Sequence, residues 1–161
     1  MKDIKCDNGC CTLCVEPYEE KNKVYKNIPR KKSGIIYLDR RKNKILLVQS
    51  RGNLWGFPKG TVKENEEFQE CAIREFFEET GIKVCVEKLK KAPSFYVNES
   101  VKYYLLFGTE KKMEVQNRIE DNDANGIGWL RATCCKSMIE SKSSTFSFTH
   151  HLKIILKKLN L

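Results

Sequence analysis

A chain of 161 residues, 40% hydrophobic and 32% charged, is long enough for one well-formed core and too short for two ordinary domains, and its composition excludes a disordered chain. No apolar run approaches the roughly 18 residues of a membrane span, which excludes a helical membrane protein. The formal net charge of +9 suits either a polyanionic partner or a generic solubilising surface.

The start, Met1-Lys-Asp-Ile-Lys-Cys-Asp7, lacks the apolar core of a secretory signal, so the expectation is a protein of a reducing compartment, the cytoplasm. Eight cysteines in that setting are read as reduced thiols. Cys6, Cys10, Cys11 and Cys14 crowd together, and Cys134 and Cys135 form a second pair. Cys11-x-x-Cys14 supplies half of a structural zinc site that Cys134 and Cys135, or Cys6 and Cys10, would complete. The irregular spacing makes free thiols the plainer reading.

Residues 1–33 are polar, rich in Cys and Lys, and carry Pro17 and Pro29. They are expected to form an extension that is loose in part, with the fold proper occupying residues 34–161. Gly34 to Asp39 and Lys44 to Gln49 are apolar, β-branched runs joined by the basic turn Arg40 to Asn43, which predicts a hairpin. Trp55-Gly-Phe-Pro-Lys-Gly60 is a turn-rich loop. Its glycines let backbone approach a phosphate, and Lys59 supplies a point charge there.

A helix is predicted over Phe68 to Thr80, stopped by Gly81, with Phe68, Cys71, Ala72 and Phe76 toward the core. Strands are predicted at Lys83 to Leu89, Ser94 to Asn98 and Val101 to Gly108, the last two a hairpin about Glu99-Ser100. A polar loop, Glu110 to Asn125, leads to a short strand, Gly126 to Leu130. In the tail, Phe148, Leu152, Ile155 and Leu159 recur at helical spacing with Lys153, Lys157 and Lys158 on the other side, which predicts an amphipathic closing helix. Packing is its plainer role, RNA binding the alternative.

Charge is distributed unevenly along this layout. Lys21 to Lys44 carries a net +9, whereas Glu64 to Glu79 carries seven Glu against Arg74 alone. Within the acidic stretch Glu75, Glu78 and Glu79 stand at i, i+3 and i+4, so a helix projects three carboxylates toward one point. Such repulsion is relieved when hard divalent cations, Mg²⁺ or Mn²⁺, sit among the oxygens and are shared with a diphosphate. The bland alternative is a solvated acidic helix face.

The same stretch resembles the Nudix box, Gly-x5-Glu-x7-Arg-Glu-Ψ-x-Glu-Glu-x-Gly-Ψ with Ψ bulky and apolar. Gly60, Glu66, Arg74, Glu75, Phe76, Glu78, Glu79, Gly81 and Ile82 fill every specified position, although Phe76 stands where many relatives carry an aliphatic residue. The resemblance implies an α/β fold, an α/β/α sandwich with a mixed β-sheet. It also implies hydrolysis of a nucleoside diphosphate linked to another group. Metal would be held by Glu75, Glu78 and Glu79 with the Gly60 carbonyl, and a Glu66–Arg74 ion pair would fix loop to helix. The adjacent His150 and His151 are poor catalytic candidates.

The flanking residues, Trp55 to Gly60 and the strand at Ile127-Gly-Trp129-Leu130, look like those of mRNA-decapping Nudix enzymes, both the eukaryotic catalytic subunit and the proteins of large DNA viruses. That resemblance implies capped RNA as partner, with 7-methylguanosine diphosphate and 5′-monophosphate RNA as products. The position of the relatives' catalytic Glu, six residues before the Trp, holds Asp123 here, and Glu120 in the same loop is the other candidate for general base. Some 33 residues before Gly34 are too few for the relatives' helical regulatory domain, so cap stacking would fall to Trp55, Phe95, Tyr96 or Tyr37, each with an ordinary packing role as its alternative. Two further readings stay open: a Nudix hydrolase of small phosphorylated molecules, such as dinucleoside polyphosphates or inositol pyrophosphates, and a non-catalytic RNA-binding Nudix module.

Overall fold

A computed structural model of the protein describes residues 1–19, 30–50 and 54–141 together with 152, 154 and 157. In chain order the elements are β1 (Lys2–Lys5), β2 (Thr12–Val15), β3 (Lys32–Asp39), β4 (Lys44–Ser50), β5 (Leu54–Gly56), β6 (Lys59–Thr61), α1 (Phe68–Thr80), α2 (Val86–Lys90), β7 (Ser94–Asn98), β8 (Val101–Phe107), β9 (Gly126–Arg131) and α3 (Ala132–Glu140). The strands form one mixed sheet in the order β1-β2-β9-β4-β3-β8-β7, with β5 beside β4 and β6 beside β3. The β3–β8 pair is parallel and its neighbours are antiparallel.

Alternation along the central strands divides the core into two layers. Ile45 and Leu47 of β4, Ile36 and Leu38 of β3 and Tyr103 and Leu105 of β8 enter one cluster with Cys134, Cys135 and Met138 of α3. Leu46 and Val48, Ile35, and Tyr104 and Leu106 enter the other with Ala72 and Phe76 of α1 and Leu89 of α2. A strand covered on both faces needs an unbroken apolar run, which is why Ile45-Leu-Leu-Val48 lacks polar alternation. The edge strand β7 alternates exposed and half-buried residues instead.

The predicted hairpin of β3 and β4 forms only at its tip, pairing Leu38 with Ile45 and Asp39 with Lys44. Beyond it the strands splay, β3 pairing with β6 and β8, and β4 with β5 and β9. The Asp39 carboxylate holds the turn, accepting from the backbone N–H groups of Arg41 at 3.0 Å, Lys42 at 3.1 Å and Glu110 at 2.8 Å.

Several expectations are corrected. Lys83 to Leu89 is not a strand: residues 86–90 form the short helix α2, which packs beside α1 and buries Leu89. Ile82, Val84 and Leu89 pack into the core layer of α1 instead of joining the sheet. Within the N-terminal residues, β1 and β2 were not foreseen; they extend the sheet, β2 pairing with β9. Cys11 and Cys14 flank opposite layers of the core, so Cys11-x-x-Cys14 is not a ligand pair. The helix α3 was not foreseen. Of the predicted closing helix, residues 152, 154 and 157 are helical and Leu152 is buried, while Phe148, Lys153, Ile155, Lys158 and Leu159 lie outside the described residues, as does most of the basic run before Arg30.

Candidate active site

The helix α1 is held at both ends by local chemistry. The Glu67 backbone N–H donates to the Glu70 carboxylate at 3.0 Å. At the other end Gly81, with φ of 73°, closes the helix through its N–H to the Phe77 carbonyl at 2.8 Å, a left-handed conformation that favours glycine. Ala72 and Phe76 anchor the apolar side. Glu75, Glu78 and Glu79 fall on the flank of that stripe, toward β6.

This placement buries the carboxylates: Glu78 and Glu79 are each only 8% exposed. Glu79 accepts from the Lys59 backbone N–H at 3.1 Å. The Glu75 carboxylate fills the space a side chain at residue 60 would need, which is the physical reason for glycine at that place in β6. The Cys71 thiol points at the Gly60 carbonyl, 3.6 Å away. Burial pushes that thiol up to about 12, so it stays neutral beside the acids.

Arg74 knits the acidic groups together. Its guanidinium donates to both oxygens of Glu66 at 2.8 and 3.0 Å, to Glu75 at 2.8 Å, to the Thr61 carbonyl at 3.0 Å and more weakly to Glu78 at 3.3 Å. Glu66 also accepts from the Lys63 N–H at 3.1 Å. The bidentate partner Arg74 holds the Glu66 carboxyl below its ordinary range. Glu75 and Glu79 go the other way. Burial raises Glu75 despite Arg74. Burial, then the charge of Glu75, raises Glu79 well above its ordinary value, with Lys59 opposing and Asp123 adding to the rise.

The loop before β9 brings in one more acid. Asp123 is exposed, and its charge acts on both Glu75 and Glu79. Its neighbour Asn122 pins the loop, donating to the Gln116 carbonyl at 3.0 Å and accepting from the Ala124 N–H at 2.8 Å. Glu120 is exposed and is not among the leading influences on the comb.

The four aromatic candidates separate. Trp55 is 4% exposed and belongs to the core layer opposite α1, so it is not available to stack on a ligand beside the comb. Phe95 packs into that same layer, its ring 6.3 Å from Tyr103. Tyr37 lies in the α1 layer but is wedged between Phe76 and Trp129, both at 5.5 Å. Tyr96 is 55% exposed and meets Phe68, the first residue of α1, edge to face at 5.7 Å.

A feature missed in the sequence lies on the α1 face of the sheet. A groove of about 540 Å³ is lined by Lys42, Lys44, Lys111, Lys112 and Trp129, with Glu110 bridging Lys42 at 2.8 Å and Lys44 at 2.6 Å. The Trp129 indole N–H is buried and has no partner among the described residues. The lysines come from the β3–β4 turn with the start of β4 and from the distant loop before β9, so no local spacing announces them.

The NUDIX domain profile matches residues 29–137. The chain belongs to the Nudix hydrolase family. This Nudix domain is 39% identical over 103 residues to the m7GpppN-mRNA hydrolase dcap-2 of Caenorhabditis elegans, covering 61% of the chain and 13% of that protein. It is 31% identical over 141 residues to a protein named as a hydrolase, 111R, of Invertebrate iridescent virus 3, covering 83% of the chain and 80% of the relative. Among solved structures it matches the bifunctional NMN adenylyltransferase/ADP ribose pyrophosphatase of Francisella tularensis with a TM-score of 0.60 and 20% identity, over 81% of this chain and 42% of that one. That likeness is one of fold.

The donors at the Nudix helix fit the divalent metal of the family. Three carboxylates and the Gly60 carbonyl are hard oxygen ligands. Burial, and then repulsion from neighbouring carboxylates, makes Glu75 and Glu79 bind protons more tightly than usual. Glu75, Glu78, Glu79 and the Gly60 carbonyl are the groups that would hold Mg²⁺ or Mn²⁺.

Proposed function

We propose that this Nudix hydrolase cleaves the phosphoanhydride bridge of capped RNA, releasing 7-methylguanosine diphosphate and RNA with a 5′ monophosphate. The observation that carries the reading is that the carboxylate comb shares its face of the sheet with the lysine-lined groove. An acidic site for a diphosphate and a basic track on one face of the sheet suit a substrate with one reacting bridge and a long anionic tail. The relative dcap-2, an m7GpppN-mRNA hydrolase by name, supports the same substrate class.

Bound divalent metal would supply neutralisation of the bridging phosphates and activation of water. The chain's own residues do the rest. Arg74 holds Glu75 and Glu78 in place from behind. The Lys59 N–H orients Glu79, and the ammonium, whose charge acts on Glu79, would meet a phosphate oxygen. Asp123 is the group assigned to take the proton from the attacking water, since it is exposed yet close enough to perturb Glu75 and Glu79. Tyr96 offers its exposed ring to a cap base. The groove lysines would receive the RNA.

The test is incubation with Mn²⁺ and cap-labelled RNA some tens of nucleotides long, with Glu79→Gln as control. Labelled 7-methylguanosine diphosphate from the parent alone is the expected product. Inert RNA beside an active positive control would overturn the proposal, and turnover of dinucleoside polyphosphates or inositol pyrophosphates would then reassign the substrate.

A further inference from the structure

Four of the eight cysteines converge at a corner of the sheet remote in sequence from the comb. Cys6, Cys10 and Cys11 lie in the turn between β1 and β2, and Cys134 stands in the first turn of α3. Their four Sγ atoms all lie within 4.8 Å of one another. The separations are 3.8 Å for Cys6–Cys10, Cys6–Cys134 and Cys11–Cys134, 3.7 Å for Cys10–Cys11 and 3.2 Å for Cys10–Cys134.

A tetrahedral thiolate site with metal–sulfur bonds of about 2.3 Å has sulfur–sulfur edges of about 3.8 Å. Four of these separations match that edge. All are far longer than the roughly 2.0 Å of a disulfide.

Sulfur atoms in plain contact would stand at similar distances, so a second observation matters. Nitrogen donors aim at the cluster. The Cys11 backbone N–H donates to Cys6 Sγ at 3.3 Å, and Asn8 Nδ2 donates to Cys134 Sγ at 3.6 Å. Asn8 is itself steadied by Ser137 of α3 at 3.2 Å. The turn is drawn closed by the Gly9 N–H to the Cys6 carbonyl at 2.8 Å and the Cys6 N–H to the Cys11 carbonyl at 3.0 Å. Hydrogen bonds from N–H groups stabilise anionic thiolate far more than neutral thiol, and such outer partners orient metal ligands.

We propose that Cys6, Cys10, Cys11 and Cys134 bind one Zn²⁺ as a structural site that ties the β1–β2 hairpin to the start of α3. Four S–H bonds give way to four Zn–S bonds, four protons leave to solvent, and nothing is oxidised or reduced. Cys11 and Cys134 are buried and Cys6 is half-buried, while Cys10 is exposed and leaves a route for entry. Four sulfur ligands leave no open coordination position, which makes the role structural. The site steadies a wall of the basic groove, because Cys10, Thr12 and Cys14 line it with the lysines.

The experiment is elemental analysis of the full chain purified under reducing conditions without chelator, followed by replacement of the metal with Co²⁺. One zinc per chain that dialysis against excess Mg²⁺ does not remove is expected. The Co²⁺ form should show sulfur-to-cobalt charge transfer and tetrahedral visible bands, which carboxylates cannot produce. Cys10→Ser, an exposed change, and Cys134→Ser should each lose most of that intensity, with the circular dichroism of Cys10→Ser unchanged. Cys85→Ser, exposed elsewhere, should keep it.

Three results would each overturn the proposal. They are a reduced chain that develops no charge transfer with Co²⁺, a spectrum indifferent to both cluster variants, and a Cys10–Cys134 disulfide in the native protein.

Discussion

The three carboxylates of α1 sit within five residues of one another, whereas the four clustered cysteines span residues 6 to 134. Helical periodicity alone converges the first group. Only the pairing of β2 with β9, and the helix that follows β9, converges the second. The two clusters also carry charge differently. Carboxylates are anionic before any metal arrives, so Arg74 must already stand among them. The donors to sulfur at the cysteine corner are neutral instead, the Cys11 backbone N–H and the Asn8 side-chain amide. One chain thus builds two metal-suited clusters on separate logic: one trades stability for a charged site, and the other would gain stability from its occupant.

The sharpest way to break that contrast is Glu79→Gln. Hydrolysis should fall at least about a hundred-fold in kcat/KM, the scale for losing one preorganised electrostatic contact with the transition state. Stability should rise by about 1 kcal/mol, since a buried carboxylate that repels Glu75 is removed. Steady-state kinetics and urea unfolding on one preparation read both, and a variant that loses activity and stability together would mean that Glu79 holds the fold.

Arg74→Ala should show the reverse balance. With Glu66, Glu75 and Glu78 left facing one another, unfolding should cost about 3 kcal/mol less, the scale for removing one partner of a largely buried ion pair. Urea titration checks it. A loss under about 1 kcal/mol would make the pair a surface contact.

The pH response of the metal-free protein sharpens the electrostatic side. The Glu79 carboxyl in the fold lies well above its ordinary 4.5, so the folded state holds that proton more tightly than the unfolded chain. The stability this confers is fully present below the unfolded value and is lost as pH rises through the folded one. Glu66, held low by Arg74, contributes stability above its unfolded value that is lost as pH falls. Tm measured in chelator from pH 5 to 8 should therefore decline less steeply in Glu79→Gln than in the parent, and parallel curves would refute the assignment.

The smallest effect is expected at Tyr96→Ala. The residue is exposed, so stability should move by under about 0.5 kcal/mol. Affinity for capped RNA should drop by about 1 kcal/mol, the lower end of base stacking on an aromatic ring. Equal KM for parent and variant would remove Tyr96 from the cap site.

The helix α1 and its Gly81 cap were legible to the residue, because an i, i+3, i+4 pattern and a terminal glycine act over a single element. The strands β3, β4, β7, β8 and β9 were legible within two residues for the same local reason. Lys83 to Leu89 misled because alternating Val84 and Val86 imitate a strand, while the packing of Leu89 into the α1 layer is not written locally. Trp55 misled too: its neighbours in the chain suggested a ligand loop, and the pairing of β5 with β4 turned it into the opposite core layer.

By itself the sequence determined the family, the helix α1 and the acids on it, because their geometry follows from the 3.6-residue period of one helix. Only the tertiary structure decided which aromatic is exposed, which lysines share a groove, that Asp123 reaches the comb electrostatically, and which four cysteines meet. Those contacts join residues tens to more than a hundred positions apart, and their distances are fixed by strand order and register, which no local pattern encodes.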